Sequence, residues 1–203
     1  MLQTQTISSE LLELLKKIMK LNQFDKFLLV GGTSLALQIG HRNSIDIDLF
    51  GNSEIDEELF TRTLSNFGAF EVYKRSKNIL ITSINNVKVD FVNYQYPLLR
   101  KIRVIDGIRL ASKEDIAAMK LNAILGRGSK KDFIDLFFLL KEFSLNQMID
   151  FYLQKYFDGS KFLVVKSLSY FADADLEQTP EMYLEFNWET CKQKITEELI
   201  KIQ

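Results

Sequence analysis

The 203-residue sequence contains one cysteine, Cys191, and one histidine, His41. A single cysteine excludes a disulfide framework and any zinc site built from several cysteines. A single histidine excludes histidine-rich metal sites, and it argues against Ser–His or Cys–His catalysis. The chain has only two prolines and is 46% apolar, which is not the composition of a disordered or fibrous protein. We therefore expect a full hydrophobic core that needs no covalent staples.

Long hydrophobic runs are also missing. No apolar segment approaches the roughly 18 residues that suggest a membrane-spanning helix. The first ten residues, MLQTQTISSE, lack the basic start and the apolar stretch of a secretion signal. These features predict a cytoplasmic protein with no membrane partner.

Charge is distributed unevenly along the chain, although the net charge is only −1. Residues 74–131 contain 13 Lys and Arg but four Asp and Glu, so this segment carries +9 and the remainder −10. Such asymmetry indicates a phosphate-rich partner, with scattered solvated surfaces as the alternative explanation.

The first 110 residues mix helical and strand patterns. Helical spacing is present at 9–21, 33–39 and 55–67, and Gly40 is expected to end the second of these helices. Asn85-Asn86 can adopt the positive φ angles of a tight hairpin. Strands are predicted at 27–30, 44–50, 70–75, 79–84 and 87–93, with a weaker one at 102–110.

The remaining residues show almost only helical patterns, beginning where Ser112 can cap a helix and Asp115 follows three residues later. Helices are predicted at 113–125, 130–142, 146–157, 160–172 and 188–201. We therefore predict an α+β protein: a mixed β-sheet with flanking helices over residues 1–110, and a helical domain over 111–203 packed against it.

Two short motifs indicate a site for a metal and a triphosphate. Gly31-Gly32 follows an apolar strand, and such a turn leaves backbone N–H groups open to a phosphate. Thr33 and Ser34 add hydroxyl groups at the same place. Asp46 and Asp48 lie two residues apart on a strand, so both carboxylates share one face, where hard oxygen ligands favour Mg²⁺ or Mn²⁺.

Each motif also has an ordinary structural explanation when it is taken alone. A Gly-Gly pair is often only a turn, and Asp-x-Asp on an alternating strand is often a solvated face. Asp90, flanked by Val89 and Phe91, provides a third carboxylate on a strand that can pair beside the others. The three elements together complete the pattern of the polymerase-β-like nucleotidyltransferase superfamily, which this sequence resembles.

The resemblance can be narrowed to one family. The segment GGTSLALQIGHRNSIDIDLF, followed by AAMKLNAILGRGSKKDFIDLFFLL at 117–140, is similar to the AbiEii/AbiGii abortive-infection toxin family. The C-terminal segments LVVKSLSYFADAD, Pro180-Glu181-Met182 and Trp188 are similar to that family as well. The similarity covers nearly the whole chain from Phe27 onward.

The resemblance implies roles for further residues. Lys120 would bind the nucleotide phosphates. The alternative is that its methylene chain packs in the core while its ammonium group reaches solvent. Asp132 would act in catalysis in preference to Asp135, which would lie in the nucleotide site. Arg42 would either bind phosphate or neutralise the acidic cluster, and Ser44 would contact metal-bound phosphate or cap a turn. His41 is expected to be a turn residue and not a general base.

The expected activity is metal-dependent transfer of NMP from an NTP to an acceptor hydroxyl. Asp46, Asp48 and Asp90 would hold the metal, and residues 31–34 would bind the phosphates. The resemblance implies a toxin with a cognate antitoxin and an RNA 3′ end, above all tRNA, as acceptor. The alternatives are NMP transfer to a protein or small molecule, and a nucleotide-binding regulatory module without turnover.

Overall fold

The structure, a computed structural model, describes residues 1–202, which form two compact units. Unit 1 comprises Met1–Gly40, Ser44–Tyr96 and Ile102–Ala111. Unit 2 comprises His41–Asn43, Pro97–Lys101 and the chain from Ser112 onward. Two short segments of the first half of the chain therefore belong to the helical unit.

Unit 1 contains a mixed sheet and three α-helices within the described residues. The helices are α1 (Ser9–Met19), α2 (Gly31–Ile39) and α3 (Glu57–Leu64). The strands are β1 (Leu28–Leu29), β2 (Asp46–Gly51), β3 (Phe70–Ser76), β4 (Ile79–Ile84), β5 (Val87–Asn93), β6 (Arg103–Ile105) and β7 (Ile108–Leu110). Short 3₁₀ turns lie at Thr4–Thr6, Asn22–Phe24 and Ser65–Phe67.

The strands form one sheet in the order β3-β4-β5-β2-β1-β7-β6. β2 runs parallel to β5 and antiparallel to β1, so the predicted mixed sheet is confirmed. The β4–β5 hairpin turns at Asn85 and Asn86, whose φ angles are +50° and +66° as predicted. The weak strand predicted at 102–110 is instead the β6–β7 hairpin, because Asp106 and Gly107 adopt positive φ and turn the chain.

The core of unit 1 lies between α1, α3 and one face of the sheet. Alternate residues of β2 and β5 are buried, which leaves the opposite face of both strands half-buried. Phe24, Phe27, Phe60 and Phe91 pack against one another with ring centroids 4.7–5.7 Å apart. This aromatic cluster fixes β5 against the helices, and it therefore also fixes the half-buried face on which the acids lie.

Unit 2 consists of helices that follow Ser112, whose hydroxyl caps the first of them by accepting from the Asp115 N–H as predicted. The helices are α4 (Lys113–Gly126), α5 (Lys130–Leu139), α6 (Leu145–Lys155), α7 (Lys161–Leu168), α8 (Ala172–Asp175) and α9 (Trp188–Ile200). The predicted continuous helix at 160–172 is wrong. The chain leaves the helix at Ser169, and the short α8 follows. No helix in residues 1–202 is long and apolar enough to cross a bilayer.

A buried ion pair attaches the segment 97–101 to the helices of unit 2. The ammonium of Lys155 lies 2.8 Å from Asp115 and donates to the Pro97 carbonyl at 2.7 Å. Asp115 also accepts from the backbone N–H of Leu99 at 2.9 Å. Both charged side chains are about 1% exposed, so each buried charge must be neutralised by the other. The segment is therefore held by buried polar contacts.

Candidate active site

Three carboxylates share the half-buried face of two adjacent parallel strands in unit 1. β2 carries Asp46 and Asp48, and β5 carries Asp90. The strand register places Asp48 directly opposite Asp90, and Asp46 opposite Lys88. The period of two residues in each strand therefore brings three acids and one lysine to one face.

The beginning of α2 lies against this acidic face. The Val30 N–H donates to the Asp48 carbonyl at 2.9 Å, which fixes the end of β1 beside β2. Gly31 follows with φ +67°, and a Cβ on it would lie 2.7 Å from Asp48 Oδ2. Only glycine allows the backbone to pass so close to the carboxylate. The Gly31-Gly32 pair, predicted as a turn before the helix, is in fact the first turn of α2.

The hydroxyl residues next to the glycines are buried. Thr33 Oγ1 donates to the Asp46 carbonyl and lies 2.8 Å from Ser44 Oγ. Thr33 and Ser34 are 1% and 0% exposed. These contacts join α2 to the residues just before and at the start of β2, so Thr33 and Ser44 position the Asp-x-Asp strand.

Lys88 modifies the acidic face in a way that the sequence analysis missed. Its ammonium forms an ion pair with Asp90 Oδ2. Burial lowers the pKa of Lys88, but the carboxylates of Asp90, Asp48 and Asp46 outweigh it and raise the pKa overall. The period of two between Lys88 and Asp90 was the available signal, since both side chains must lie on one face of β5.

A divalent cation fits the donor atoms of this face in part. Asp90 Oδ1 is buried and accepts no hydrogen bond from any residue in 1–202, so a buried oxygen with negative charge has no donor. Carboxylate oxygens are the ligands that Mg²⁺ prefers. Within the described chain, however, no three His, Cys, Asp or Glu side chains form a group that could hold one ion. The Oδ2 atom of Asp90 is paired with Lys88.

In unit 2, Asp135 is the centre of a buried polar cluster. Arg42 donates to both of its oxygens, from Nε at 2.7 Å and from Nη2 at 2.8 Å. His41 Nε2 lies 2.7 Å from Oδ1, and Lys120 Nζ lies 2.6 Å from Oδ2. Burial raises the pKa of Asp135, but the charges of Arg42 and Lys120 and the hydrogen bonds hold it well below the usual value.

Asp132, one turn before Asp135 on α5, has a separate set of partners. Its oxygens accept from Lys120 at 2.9 Å, from Arg127 at 2.9 Å and from Ser129 at 2.8 Å. Burial opposes ionisation, yet Lys120 and Arg127 lower the pKa of Asp132 to about 2. A carboxylate that is already ionised, buried and fully bonded is a weak proton acceptor near neutral pH.

The structure thus places the predicted residues in two groups. Unit 1 brings together Gly31, Gly32, Thr33, Ser34, Ser44, Asp46, Asp48 and Asp90. Unit 2 brings together Arg42, Lys120, Asp132 and Asp135. His41 was predicted as a turn residue, but its side chain is fully buried against Asp135, and burial lowers its pKa. For Arg42 the two predicted alternatives were phosphate binding and neutralisation of the acidic cluster, and the structure pairs it with Asp135.

Comparison with known proteins agrees with this architecture. A protein of Aquifex aeolicus (strain VF5), aq_aa25, whose function is uncharacterised, is 36% identical over 201 residues, which cover 95% of this chain and 98% of the relative. A proposed nucleotidyltransferase from Helicobacter pylori has a TM-score of 0.60 at 17% identity, with 95% of this chain and 91% of that chain covered. MenT4, a nucleotidyltransferase toxin from Mycobacterium tuberculosis H37Rv, has a TM-score of 0.59 at 16% identity, with 96% and 83% covered.

These structural similarities, at such low sequence identity, establish the nucleotidyltransferase-like fold. Membership of a family rests on the sequence itself. Residues 13–201 match the family described as nucleotidyl transferase AbiEii toxin, type IV TA system. The match includes the acidic strands of unit 1 and nearly all of the helical unit. The chain therefore belongs to the AbiEii nucleotidyltransferase toxin family of toxin–antitoxin systems.

Proposed function

We propose that this protein transfers NMP from an NTP to the 3′ hydroxyl of an RNA, above all tRNA, and releases pyrophosphate in a reaction that depends on Mg²⁺ or Mn²⁺. The main observation in support is the close approach of Gly31 to Asp48 on a face that also carries Asp46 and Asp90. A glycine-rich helix start beside carboxylates on parallel strands suits a phosphate chain neutralised by a divalent cation.

In unit 1, we assign Asp46 and Asp48 to hold the cation, with the bare oxygen of Asp90 adding negative charge beside them. A bound cation would neutralise the phosphates and lower the pKa of the attacking hydroxyl. Gly31 and Gly32 offer backbone N–H groups at the start of α2, where no side chain from the described residues provides a cap. Thr33 and Ser44 stabilise this arrangement through their hydrogen bonds between α2 and β2, and Ser34 is buried next to Thr33 on α2.

In unit 2, the buried cluster has a charge that favours anions. Three cations, Arg42, Lys120 and Arg127, contact two carboxylates, Asp132 and Asp135, which leaves one positive charge in excess. We assign Lys120 to phosphate binding and Asp132 to positioning Lys120 and Arg127. Asp135 is fully enclosed by its partners, so its part in nucleotide binding is to orient Arg42 and Lys120.

The partners of the reaction are also part of this proposal. The family is described as belonging to type IV toxin–antitoxin systems, so a cognate antitoxin is expected. The cytoplasm, which contains NTPs and tRNA, is the location that fits these substrates. The basic segment 74–131 is compatible with a polyanionic acceptor.

The test is incubation of the purified protein with Mg²⁺, bulk tRNA and each α-labelled NTP in turn, followed by a denaturing gel. We expect label on tRNA with one preferred NTP, and none after the metal is chelated. Label on a protein or a small molecule instead would refute the RNA acceptor while retaining transferase chemistry. Nucleotide binding by calorimetry with no labelled product would refute the enzyme and favour a regulatory module.

Gly31→Ala provides a prediction about geometry. The new Cβ would push the Asp48 carboxylate aside, so we expect NMP transfer to fall by at least an order of magnitude. The positive φ adds a stability cost of about 1–2 kcal/mol. Urea unfolding and initial transfer rates would measure both effects.

Gly107→Ala is the matched control, since Gly107 has φ +78° and a Cβ added to it would meet no atom within 4 Å. It should lose similar stability and keep its transfer rate. Equal transfer rates for the two variants would show that the proximity of Gly31 to Asp48 has no catalytic role.

A further inference from the structure

Unit 2 contains a cavity of about 620 Å³, and Arg127 is its one lining residue with a role assigned above. It lies between the end of α4, the loop that follows it, α7 and the start of α8. Its volume falls within the range of about 300–1,000 Å³ that is typical of ligand sites. The cavity is open, because Leu163 and Tyr170 on its wall are 47% and 57% exposed. An occupant that continues into solvent would fit such a shape.

Aromatic and cationic side chains alternate along α7 and just past its end; Lys166 and Tyr170 line the cavity, and Phe162 precedes the lining residue Leu163. Phe162, Lys166 and Tyr170 follow one another at intervals of four residues, which places the first two on one side of α7 and the third directly after its end. Phe162 is 73% exposed. No carboxylate of residues 1–202 forms an ion pair with Lys166. Aromatic rings that alternate with cations along a groove are the features that bind single-stranded nucleic acid, by base stacking and phosphate contacts.

The opposite wall connects the cavity to the buried charge cluster. Arg127 lines the cavity, is 70% exposed, and donates through Nε to Asp132 Oδ2 at 2.9 Å. Asp132 in turn contacts Lys120 at 2.9 Å. A phosphate in the cavity would therefore meet a guanidinium that shares the Asp132 carboxylate with Lys120, the lysine assigned to the nucleotide.

The polar balance of the cavity also favours an anion. Arg127 and Lys166 are the cations of the lining and Asp173 is its acid. Because Arg127 is paired with Asp132, the charges are counted together with the buried cluster, in which three cations contact two carboxylates; adding Lys166 and Asp173 gives four cations and three acids. Asp173 accepts a weak hydrogen bond from the Tyr170 hydroxyl at 3.4 Å. The net charge of these side chains is therefore positive, which favours binding of a negatively charged phosphodiester.

We propose that this cavity binds the single-stranded 3′ end of the acceptor RNA, with Tyr170 stacking on a base and Lys166 and Arg127 contacting phosphates. This inference rests on the proposed function, since it names the site where the acceptor of that reaction is held. Phe162 extends the same surface toward the preceding nucleotide.

The test is fluorescence anisotropy with a 5′-labelled ten-nucleotide single-stranded RNA that ends in CCA. NTP is omitted and the metal is chelated, so that binding is measured without transfer. We expect Lys166→Gln and Tyr170→Ala each to weaken binding about tenfold, and Phe162→Ala to weaken it less. Lys166→Gln should also reduce the slope of log affinity against log salt by about 0.7, whereas Tyr170→Ala should leave that slope unchanged.

Three control variants separate these effects from general changes in the protein. Tyr170→Phe retains the ring and should bind within about twofold of wild type, because stacking does not need the hydroxyl. Tyr183→Ala and Lys201→Gln remove an exposed ring and an exposed charge outside the cavity, and should bind like wild type. All six variants should retain the thermal unfolding midpoint of wild type.

The outcomes distinguish this inference from the proposed function. Wild-type affinity in Lys166→Gln and Tyr170→Ala, or no RNA binding by the wild-type protein, would overturn the acceptor site even if label transfer to RNA occurs. Loss of binding in these variants together with absence of label transfer by the wild type would retain the RNA site and refute the transferase.

Discussion

Replacing Asp48 by Asn is expected to reduce NMP transfer on the order of 10³-fold, equivalent to about 4 kcal/mol of transition-state stabilisation. Asp48 faces Asp90 across the strand pair and touches the start of α2 at Gly31. The amide keeps the size of the side chain but lacks the charge that a divalent cation requires. Initial rates with a labelled NTP, measured across a range of Mg²⁺ and Mn²⁺ concentrations, would give the loss.

The same substitution should leave the fold intact. Three carboxylates face a single lysine on this surface, so removal of one negative charge relieves repulsion between like charges. We therefore expect an unfolding midpoint equal to or above that of wild type. Active sites often show this behaviour, because the charges that activity requires destabilise the folded protein. Asp150→Asn, an exposed aspartate on α6, is the matched control and should change neither quantity. Transfer at the wild-type rate in Asp48→Asn would remove the metal from the proposed mechanism.

The local part of this architecture could be predicted from the sequence. Period-two alternation located Asp46 and Asp48 on one face of a strand, and Asn85-Asn86 specified the β4–β5 hairpin, because both features are decided within a few residues. The ends of helices were less predictable. The pattern over 160–172 continues past Ser169, but α7 ends there: the Ser169 N–H and hydroxyl both donate to the Lys166 carbonyl, and α8 begins only at Ala172.

The partners of the buried charges could not be predicted in the same way. Arg42 and Asp135 are 93 residues apart in sequence, and no local sequence pattern predicts that they form an ion pair. The pairing of Lys155 with Asp115, which fixes the segment 97–101, is equally remote. Spacing along one element shows which side chains share a face, whereas the identity of the facing element is a tertiary property. Lys88 is the exception, since its partner Asp90 lies on the same strand.

Asp135→Asn should have the second large effect, on stability. The substitution leaves Arg42 and Lys120 buried with one carboxylate fewer, and removal of one partner from a buried ion pair costs about 3–5 kcal/mol. The amide has one oxygen in place of two, and each carboxylate oxygen now faces two donors, so two of these four contacts would meet an NH₂ group that cannot accept a hydrogen bond. Chemical unfolding at neutral pH would measure the loss, and Asp150→Asn should change stability by less than about 0.5 kcal/mol.

The pH dependence identifies the charge of Asp135 as the cause. Its pKa in the folded protein lies well below the ordinary value of 3.8, so its contribution to stability is present above that value and is lost as pH falls through it toward the folded pKa. The difference in unfolding free energy between wild type and Asp135→Asn should therefore be constant above about pH 5 and shrink below about pH 4. A difference that stays constant down to pH 3 would attribute the loss to packing or hydrogen bonding. A difference that narrows would show that the ionised carboxylate holds Arg42 and Lys120 in place.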